Sequence, residues 1–170
     1  GLDTGDILSS AETEIDRKPS GQLHDELAVL GAALIMKTIK SIEKGEIVRK
    51  PQNESLSTYA PMINKKEGEI DFSKKPSEIE RLIRAFDPRP GAYTFYKGEM
   101  LKIWKAEAFD QEDCGGKRPG TVISISENGI GIVAGKGLLL VRELQMPGRK
   151  KMAVKDFLRG NSIEIMTVLG

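Results

Sequence analysis

The segment Asp87-Pro88-Arg89-Pro90-Gly91 constrains the fold of this chain more than any other. Each proline fixes φ and removes a backbone donor, so a helix that precedes them must end at about Asp87. After Gly91, apolar residues alternate with polar ones on both sides of a Lys97-Gly98 pair. That pattern predicts a β-hairpin that turns at Lys97-Gly98. The sequence therefore requires a helix, a rigid turn and a hairpin in close succession.

Two amphipathic helices are predicted before this turn. Leucines and isoleucines at helical spacing over residues 23–42 predict a first helix from about 20 to 44 with a wide apolar face. Ser77 and Glu80 are spaced as a capping box, which predicts the start of a second helix. The residues between the helices mix charges with prolines and are typical of a linker. The first helix needs a partner surface, because its apolar face has no counterpart nearby in the sequence.

The chain is predicted to be mainly β from Ala92 onward. Short strands separated by glycine-containing turns favour a small closed barrel of the OB-like type over an open sheet. A short helix at residues 153–159 and a final strand over residues 162–168 are expected to complete it. The five predicted strands cover residues 92–96, 99–109, 120–126, 130–134 and 138–144.

The composition excludes several classes of protein. A hydrophobic content of 39% and a charged content of 30% are typical of a soluble globular protein. No apolar run approaches the roughly 20 residues of a membrane span, so no membrane partner is expected. Cys114 is the single cysteine, which rules out an internal disulfide and fits a reducing cytoplasm. No spacing of Cys, His or acidic residues indicates a metal site.

The charge is unevenly distributed along the chain. Residues 114–170 hold nine Lys and Arg against four Asp and Glu, although the net charge of the whole chain is only +1. A basic module of this kind is expected where the partner is a polyanion. A solubilising surface explains the charge equally well, so the charge alone leaves both interpretations open.

Three motifs, in order, resemble the methionyl-tRNA formyltransferase family. Residues 1–7, with the run Leu-Asp-Thr-Gly-Asp, are similar to the last catalytic motif of the family's folate-dependent domain. Residues 58–72 are similar to the family's interdomain linker, and residues 84–106 resemble the start of its C-terminal domain. The resemblance extends over essentially the whole chain.

The resemblance implies an α+β fold in three parts. Residues 1–50, with a short strand in the segment 7–15, correspond to the C-terminal strand-helix remnant of a Rossmann-like formyltransferase domain. Residues 51–76 correspond to the linker, and residues 77–170 to a C-terminal OB-like β-barrel preceded by a helix. Because the family's catalytic domain extends well upstream of the first motif, we expect the chain to be the C-terminal part of a longer enzyme.

The resemblance also implies a function. Members transfer a formyl group from 10-formyltetrahydrofolate to the amino group of methionyl initiator tRNA, in translation initiation. Asp3 matches the family's catalytic Asp, which works beside an Asn and a His that have no counterpart here. His24, the only histidine, is expected on the surface of the first helix and is not a candidate. The isolated fragment is therefore expected to be inactive, to bind no folate and to help hold the tRNA.

Basic residues are the candidates for tRNA contact, because OB-like barrels bind nucleic acids through loops and one face. Exposed aromatic residues are scarce, which favours contact with the backbone of a folded RNA over stacking on bases. The densest cluster lies on a glycine-containing loop after the last predicted barrel strand. The candidates are Lys65, Lys66, Arg81, Arg84, Arg89, Arg149, Lys150 and Lys151.

Two other functions stay open. A sibling formyltransferase, acting on a sugar nucleotide or hydrolysing formyltetrahydrofolate, shares the Asp motif and the barrel. A non-catalytic RNA-binding barrel explains the basic module but leaves Asp3 and the first helix without a purpose. That helix also suggests self-association, since the apolar face of residues 23–42 is expected to be exposed or shared between two chains.

Overall fold

The structure, a computed structural model, describes residues 3–170 and divides into two compact units. The first unit extends to Ile63 and the second comprises Asn64–Gly170. The division lies inside the segment predicted as the linker. Among the described residues, no helix is both long and apolar enough to cross a membrane.

The first unit is built on one long helix, α1 (Ser20–Glu43), which confirms the first predicted helix. The helix ends at Gly45, whose φ of +73° is easily adopted only by glycine, and its N–H donates to the Ile42 carbonyl at 3.0 Å. None of the residues of α1 is buried. The prediction of a short strand in the segment 7–15 is wrong. In that segment only Ile7 pairs, in an isolated antiparallel bridge with Lys50.

The second unit opens with a 3-10 turn, Lys65–Gly68, and the helix α2 (Pro76–Ala85). The capping box predicted from Ser77 and Glu80 is wrong. Pro76 occupies the first helical position, where its missing N–H costs nothing. The helix therefore begins one residue earlier, and the Glu78 carboxylate accepts the N–H of Lys75 at 3.0 Å.

One antiparallel sheet forms the body of the second unit. The strand order is β1-β2-β5-β4-β3, and β6 pairs with β5 beside this path. A short helix, α3 (Val154–Phe157), follows β6 directly and confirms the last predicted helix in shortened form. All five predicted strands are present within two residues of their expected ends. The strands are β1 (Ala92–Tyr96), β2 (Glu99–Asp110), β3 (Val122–Ser126), β4 (Gly129–Ala134), β5 (Gly137–Gln145) and β6 (Met152–Ala153).

The closed OB-like barrel is not confirmed, because no ladder joins the end strands β1 and β3 in the described part of the chain. The C-terminal segment lies at that gap without forming the strand predicted at 162–168. Val122 exchanges two hydrogen bonds of 2.8 Å with Met166 and Thr167, and the N–H of Gly170 donates to Phe95 at 3.2 Å. The fold is therefore a mixed α+β unit around an open antiparallel sheet.

The hydrophobic core lies entirely in the second unit. Helix α2 contributes Ile79 and Ile83, each 1% exposed, and packs against β2. Ile70 and Phe72, both 5% exposed, add to the same core although they precede α2. The apolar positions of β2, β4, β5 and α3 complete it. This core provides a rigid frame for the loops that carry the basic residues.

Candidate nucleic-acid interface

The densest cluster of positive charge lies on the basic loop, residues 146–151, which joins β5 to β6. The two strands pair through Leu144 and Met152, so the loop is the end of a hairpin. Inside it, the N–H of Arg149 donates to the Met146 carbonyl at 3.1 Å, and Gly148 adopts a φ of +68°. The loop therefore presents Arg149, Lys150 and Lys151 on a closed turn, and all three are exposed.

The three cations of the basic loop have different surroundings. The Lys151 ammonium lies 3.0 Å from Glu143 and 3.9 Å from Asp87, and 5.5 Å from the centre of the Trp104 ring. Arg149 and Lys150 form no side-chain hydrogen bond or ion pair with any residue between 3 and 170. Their charges are available to a partner, whereas that of Lys151 is largely compensated.

Trp104 is the centre of a group that we call the Trp104 cluster: Lys102, Trp104, Glu143, Gln145 and Lys151. In the β2–β5 ladder, Ile103 pairs with Leu144 and Lys105 with Glu143, so Trp104 is the extra residue of a β-bulge. Its indole N–H donates to Gln145 Oε1 at 3.0 Å, and the Lys102 ammonium lies 5.6 Å from its ring centre. The bulge thus places an aromatic ring among two cations and an amide.

A second basic element, the Pro turn (residues 87–91), adjoins this cluster. Both X-Pro peptide bonds in the turn are cis, and Arg89 between them is exposed. The Lys102 ammonium donates to the Pro90 carbonyl at 3.0 Å, and the Lys151 ammonium lies 3.9 Å from Asp87. The Trp104 cluster therefore contacts the Pro turn, which carries Arg89, and shares Lys151 with the basic loop.

The other basic candidates are not joined to the basic loop by any described contact. Lys65 and Lys66 are exposed on a 3-10 turn that is capped by Asn64, whose Oδ1 accepts the Lys66 N–H at 3.0 Å. Arg81 is exposed on α2. Arg84 is half-buried and pairs with the buried carboxylate of Glu80 at 2.9 Å. Because Glu80 would be left buried and unpaired without it, a structural role fits Arg84 best.

Asp3 lies in the first unit, exposed, with a φ of +57°. Its carbonyl accepts a hydrogen bond of 2.8 Å from Gln52 Nε2, which also donates to Gly5. His24 lies on α1, where Nδ1 is 3.3 Å from its neighbour Asp25 and both side chains are more than four-fifths exposed. The described contacts of Asp3 include no imidazole.

Neither a metal nor a reactive thiol is indicated. The described residues contain no group of three His, Cys, Asp or Glu that could hold a metal ion. Burial raises the pKa of the Cys114 thiol, and Glu112 and Asp113 raise it further. The thiol therefore stays protonated at neutral pH and donates a hydrogen bond to the Gly137 carbonyl at 3.3 Å.

Sequence reasoning missed the Trp104 cluster. The basic triplet is visible in the sequence because its three residues are contiguous. Trp104, Glu143 and Gln145, in contrast, meet only through the β2–β5 register and its bulge. The one available signal was a lone tryptophan between two lysines in a strand, Lys102-Ile103-Trp104-Lys105.

Comparison with known proteins places these elements in a family context. Residues 62–162 match the family described as formyl transferase, C-terminal domain. A methionyl-tRNA formyltransferase of Clostridium novyi is 45% identical over 170 residues, which cover 99% of this chain and 54% of that protein. A methionyl-tRNA formyltransferase of Clostridioides difficile is 40% identical over 171 residues, covering 100% of the chain and 55% of the relative. The chain thus spans about half the length of the curated relatives it matches.

Solved structures share the fold at lower identity. HypX from Aquifex aeolicus, in complex with tetrahydrofolic acid, matches with a TM-score of 0.65 and 16% identity, over 97% of this chain and 31% of that one. WlaRD, a sugar 3N-formyl transferase determined with dTDP and 5-N-formyl-THF, matches with a TM-score of 0.61 and 23% identity. That match covers 88% of this chain and 52% of WlaRD. At these identities the likeness shows the fold alone.

Proposed function

The chain belongs to the formyl transferase C-terminal domain family, and from that premise we propose that it serves formyl transfer to methionyl initiator tRNA. The observation that carries the proposal is the identity of 40% to 45% with methionyl-tRNA formyltransferases over essentially the whole chain. The proposed formyl donor is 10-formyltetrahydrofolate, and the proposed compartment is the cytoplasm.

Within that reaction, the described residues are proposed to hold the tRNA. Arg149 and Lys150 on the basic loop, with Arg89 on the Pro turn, offer exposed cations on a rigid frame. Exposed stacking platforms are lacking there, since Trp104 is half-buried and hydrogen-bonded. This surface is therefore better suited to contact with the phosphates of the tRNA than to contact with its bases. A few phosphate contacts give an affinity of the order of 10⁻⁴ to 10⁻⁶ M at physiological salt.

The domain assignment is part of the same proposal. Residues 1–50 are assigned to the end of a Rossmann-like formyltransferase domain, residues 51–76 to a linker whose residues from Asn64 onward fold with the second unit, and residues 77–170 to an OB-like C-terminal domain. The hydrogen bonds from the C-terminal segment to Val122 and Phe95 support an OB-like curvature, because they lie between the two end strands. Asp3 remains the catalytic candidate by motif alone.

A sibling formyltransferase is the second candidate. WlaRD, which shares the fold, is a sugar formyl transferase. The identity to WlaRD is 23%, against 45% to the Clostridium novyi relative. The tRNA substrate is therefore the better supported of the two.

Binding of uncharged initiator tRNA across a salt series tests the proposal. We expect binding that weakens as salt rises, and the double variant Arg149→Gln, Lys150→Gln to reduce the slope of log affinity against log salt by about 1.4 to 1.8. Lys136→Gln, which removes an exposed lysine from the β4–β5 turn, is the matched control and should leave the slope within error. Absence of binding at low salt, with binding of a nucleotide sugar instead, would favour the sibling enzyme.

Self-association through α1 is proposed as well. The helix exposes Ile35, Ile39 and Ile42 by 59%, 43% and 52% on one face, and none of its residues is buried. A second copy of the chain is the partner that can cover this face with an equally apolar surface. Sedimentation velocity should show a dimer for the chain and a monomer for Ile35→Gln, Ile39→Gln, while Lys37→Gln stays dimeric. A monomeric parent chain would contradict the proposal.

A further inference from the structure

We infer that Lys151 and Trp104 are positioning residues that hold the basic loop against the Pro turn, and that Arg149 and Lys150 make the phosphate contacts. The inference rests on the proposed function for the identity of the polyanion. The Trp104 cluster, in contrast, is a property of the free chain and can be tested without a partner.

The first step is the charge around Lys151. Its ammonium is 3.0 Å from one carboxylate, on Glu143, and 3.9 Å from a second, on Asp87. A phosphate that approached Lys151 would meet both carboxylates and would have to break the pair with Glu143. Arg149 and Lys150 present no such obstacle, because neither has a side-chain partner in the described part of the chain. Of the three adjacent cations, Lys151 is therefore a tether that anchors the basic loop, and Arg149 and Lys150 are the ligands of the phosphates.

The second step is the orientation of Gln145. The indole N–H of Trp104 can only donate, so it fixes the Gln145 side chain with Oε1 towards the ring. Nε2 then points to the other side, where it donates to the Arg149 carbonyl at 2.7 Å. A carbonyl can only accept, so both bonds demand the same orientation of the amide. Trp104 thereby sets the backbone position of Arg149 through one intervening side chain.

The third step links the loop to the Pro turn. Lys102 donates to the Pro90 carbonyl at 3.0 Å and keeps its ammonium 5.6 Å from the Trp104 ring centre. Lys151 lies 5.5 Å from the same ring centre and pairs with Asp87 of the Pro turn. The bulge at Trp104 therefore provides one aromatic surface on which both basic elements are anchored. Arg89 and Arg149 keep a fixed spacing only while this cluster is intact.

The variant Glu143→Gln distinguishes the two roles of Lys151 by the sign of its effect on tRNA affinity. If Lys151 is a phosphate ligand, removal of the carboxylate frees its charge and binding tightens. If Lys151 is a tether, the loop loses its anchor and we expect binding to weaken by ~3-fold, against the electrostatic trend. Glu127→Gln, an exposed acid on the β3–β4 turn, is the matched control and should not weaken binding. Tighter binding by Glu143→Gln would overturn the inference.

The salt dependence gives an independent measurement. Arg149→Gln and Lys150→Gln should each lower the slope of log affinity against log salt by ~0.7 to 0.9, as expected for one lost phosphate contact. Lys151→Met should weaken binding and leave the slope unchanged, and Lys151→Arg should restore the affinity because it keeps the charge. A slope reduced by Lys151→Met as much as by Arg149→Gln would make Lys151 a ligand.

The free chain supplies the test that needs no RNA. Trp104 is the only tryptophan in the sequence, so the tryptophan fluorescence, excited selectively over that of the three tyrosines, reports on this cluster. We expect Glu143→Gln and Lys151→Met to shift the Trp104 emission, while Glu127→Gln leaves it unchanged. If the emission shifts but no tRNA binds, the proposed function fails and the tether stands. If neither variant shifts the emission, the tether itself is refuted.

Discussion

Gly91 is a residue at which backbone conformation and packing both favour glycine. Its φ is +88°, and a Cβ there would lie 3.1 Å from the Trp104 ring and 3.2 Å from Lys102 Cδ. Its N–H donates to the Phe86 carbonyl at 2.9 Å, which closes the chain behind α2. The Pro turn can therefore approach the Trp104 cluster only with no side chain at this position.

The substitution Gly91→Ala is expected to destabilise the second unit by about 2 to 4 kcal/mol, through left-handed backbone strain and the contact with Trp104. Gly98→Ala is the matched control. Its φ is +80°, but a Cβ there meets nothing within 4 Å, so only the backbone cost of about 1 to 2 kcal/mol applies. Urea unfolding measures the free energy of unfolding of both variants. Equal losses of stability in the two variants would show that the close approach of position 91 to Trp104 has no energetic effect.

At the residue scale, the sequence predicted what depends on neighbours in the chain. The two prolines and Gly91 are adjacent, and their effect on φ and on backbone donors is local. The basic triplet at 149–151 could be found for the same reason. That Lys151 is paired while Arg149 is not could not be found, because Asp87 and Glu143 reach it from distant segments.

At the element scale, the N-terminus of α2 is held to the end of β2 by Asp110. The Asp110 carboxylate accepts the N–H of Ser77 at 3.1 Å. Hydrogen bonds from the Ser77 side chain and backbone lower the pKa of Asp110 below its usual 3.8, and Lys75 and Arg81 lower it further. A negative charge at this end of a helix is also favoured by the helix dipole.

The depressed pKa of Asp110 predicts a pH dependence of stability. Because the folded state binds the proton more weakly than the unfolded state, the contribution is complete above the unfolded pKa of 3.8 and is lost as pH falls through the lower folded value. Asp110→Asn should therefore reduce the difference between unfolding free energies measured at pH 7 and at about pH 2. Glu127→Gln should leave that difference unchanged, since the exposed Glu127 has no described partner. An unchanged difference in Asp110→Asn would contradict the role of this carboxylate.

Elements were predictable where a local pattern specifies them. The leucine and isoleucine spacing located α1, and alternation with glycine turns located β1 to β5 within two residues. The start of α2 was misplaced because Pro76 takes the first helical position ahead of Ser77. The strand expected at 162–168 did not form, since the described residues of that segment make one isolated β-bridge, between Val168 and Thr121, and no ladder. Closure of the sheet depends on such long-range pairing, which local alternation does not specify.

At the scale of the whole molecule, stability is concentrated in the second unit. Every buried apolar residue in the described part of the chain lies between Ile70 and Leu169. Two of them, Ile70 and Phe72, lie inside the segment that the sequence predicts as linker. The N–H of Ile70 donates to the Tyr93 carbonyl at 2.8 Å, and the Phe72 carbonyl accepts the N–H of Gly135 at 2.8 Å. These residues are thus tied to the sheet by both side chain and backbone.

Two truncations turn this into a prediction about where the folded unit begins. A chain of residues 64–170 keeps the whole core and should unfold cooperatively within about 4 °C of the parent chain, a change of less than about 1 kcal/mol. A chain of residues 77–170 begins at the domain boundary predicted from the sequence but loses Ile70, Phe72 and Pro76. The loss of two buried apolar side chains and their backbone hydrogen bonds should cost at least about 4 kcal/mol.

Thermal unfolding followed by circular dichroism compares the two chains directly. Equal stability would place the boundary at residue 77, whereas a destabilised 64–170 chain would show that the core depends on the first unit.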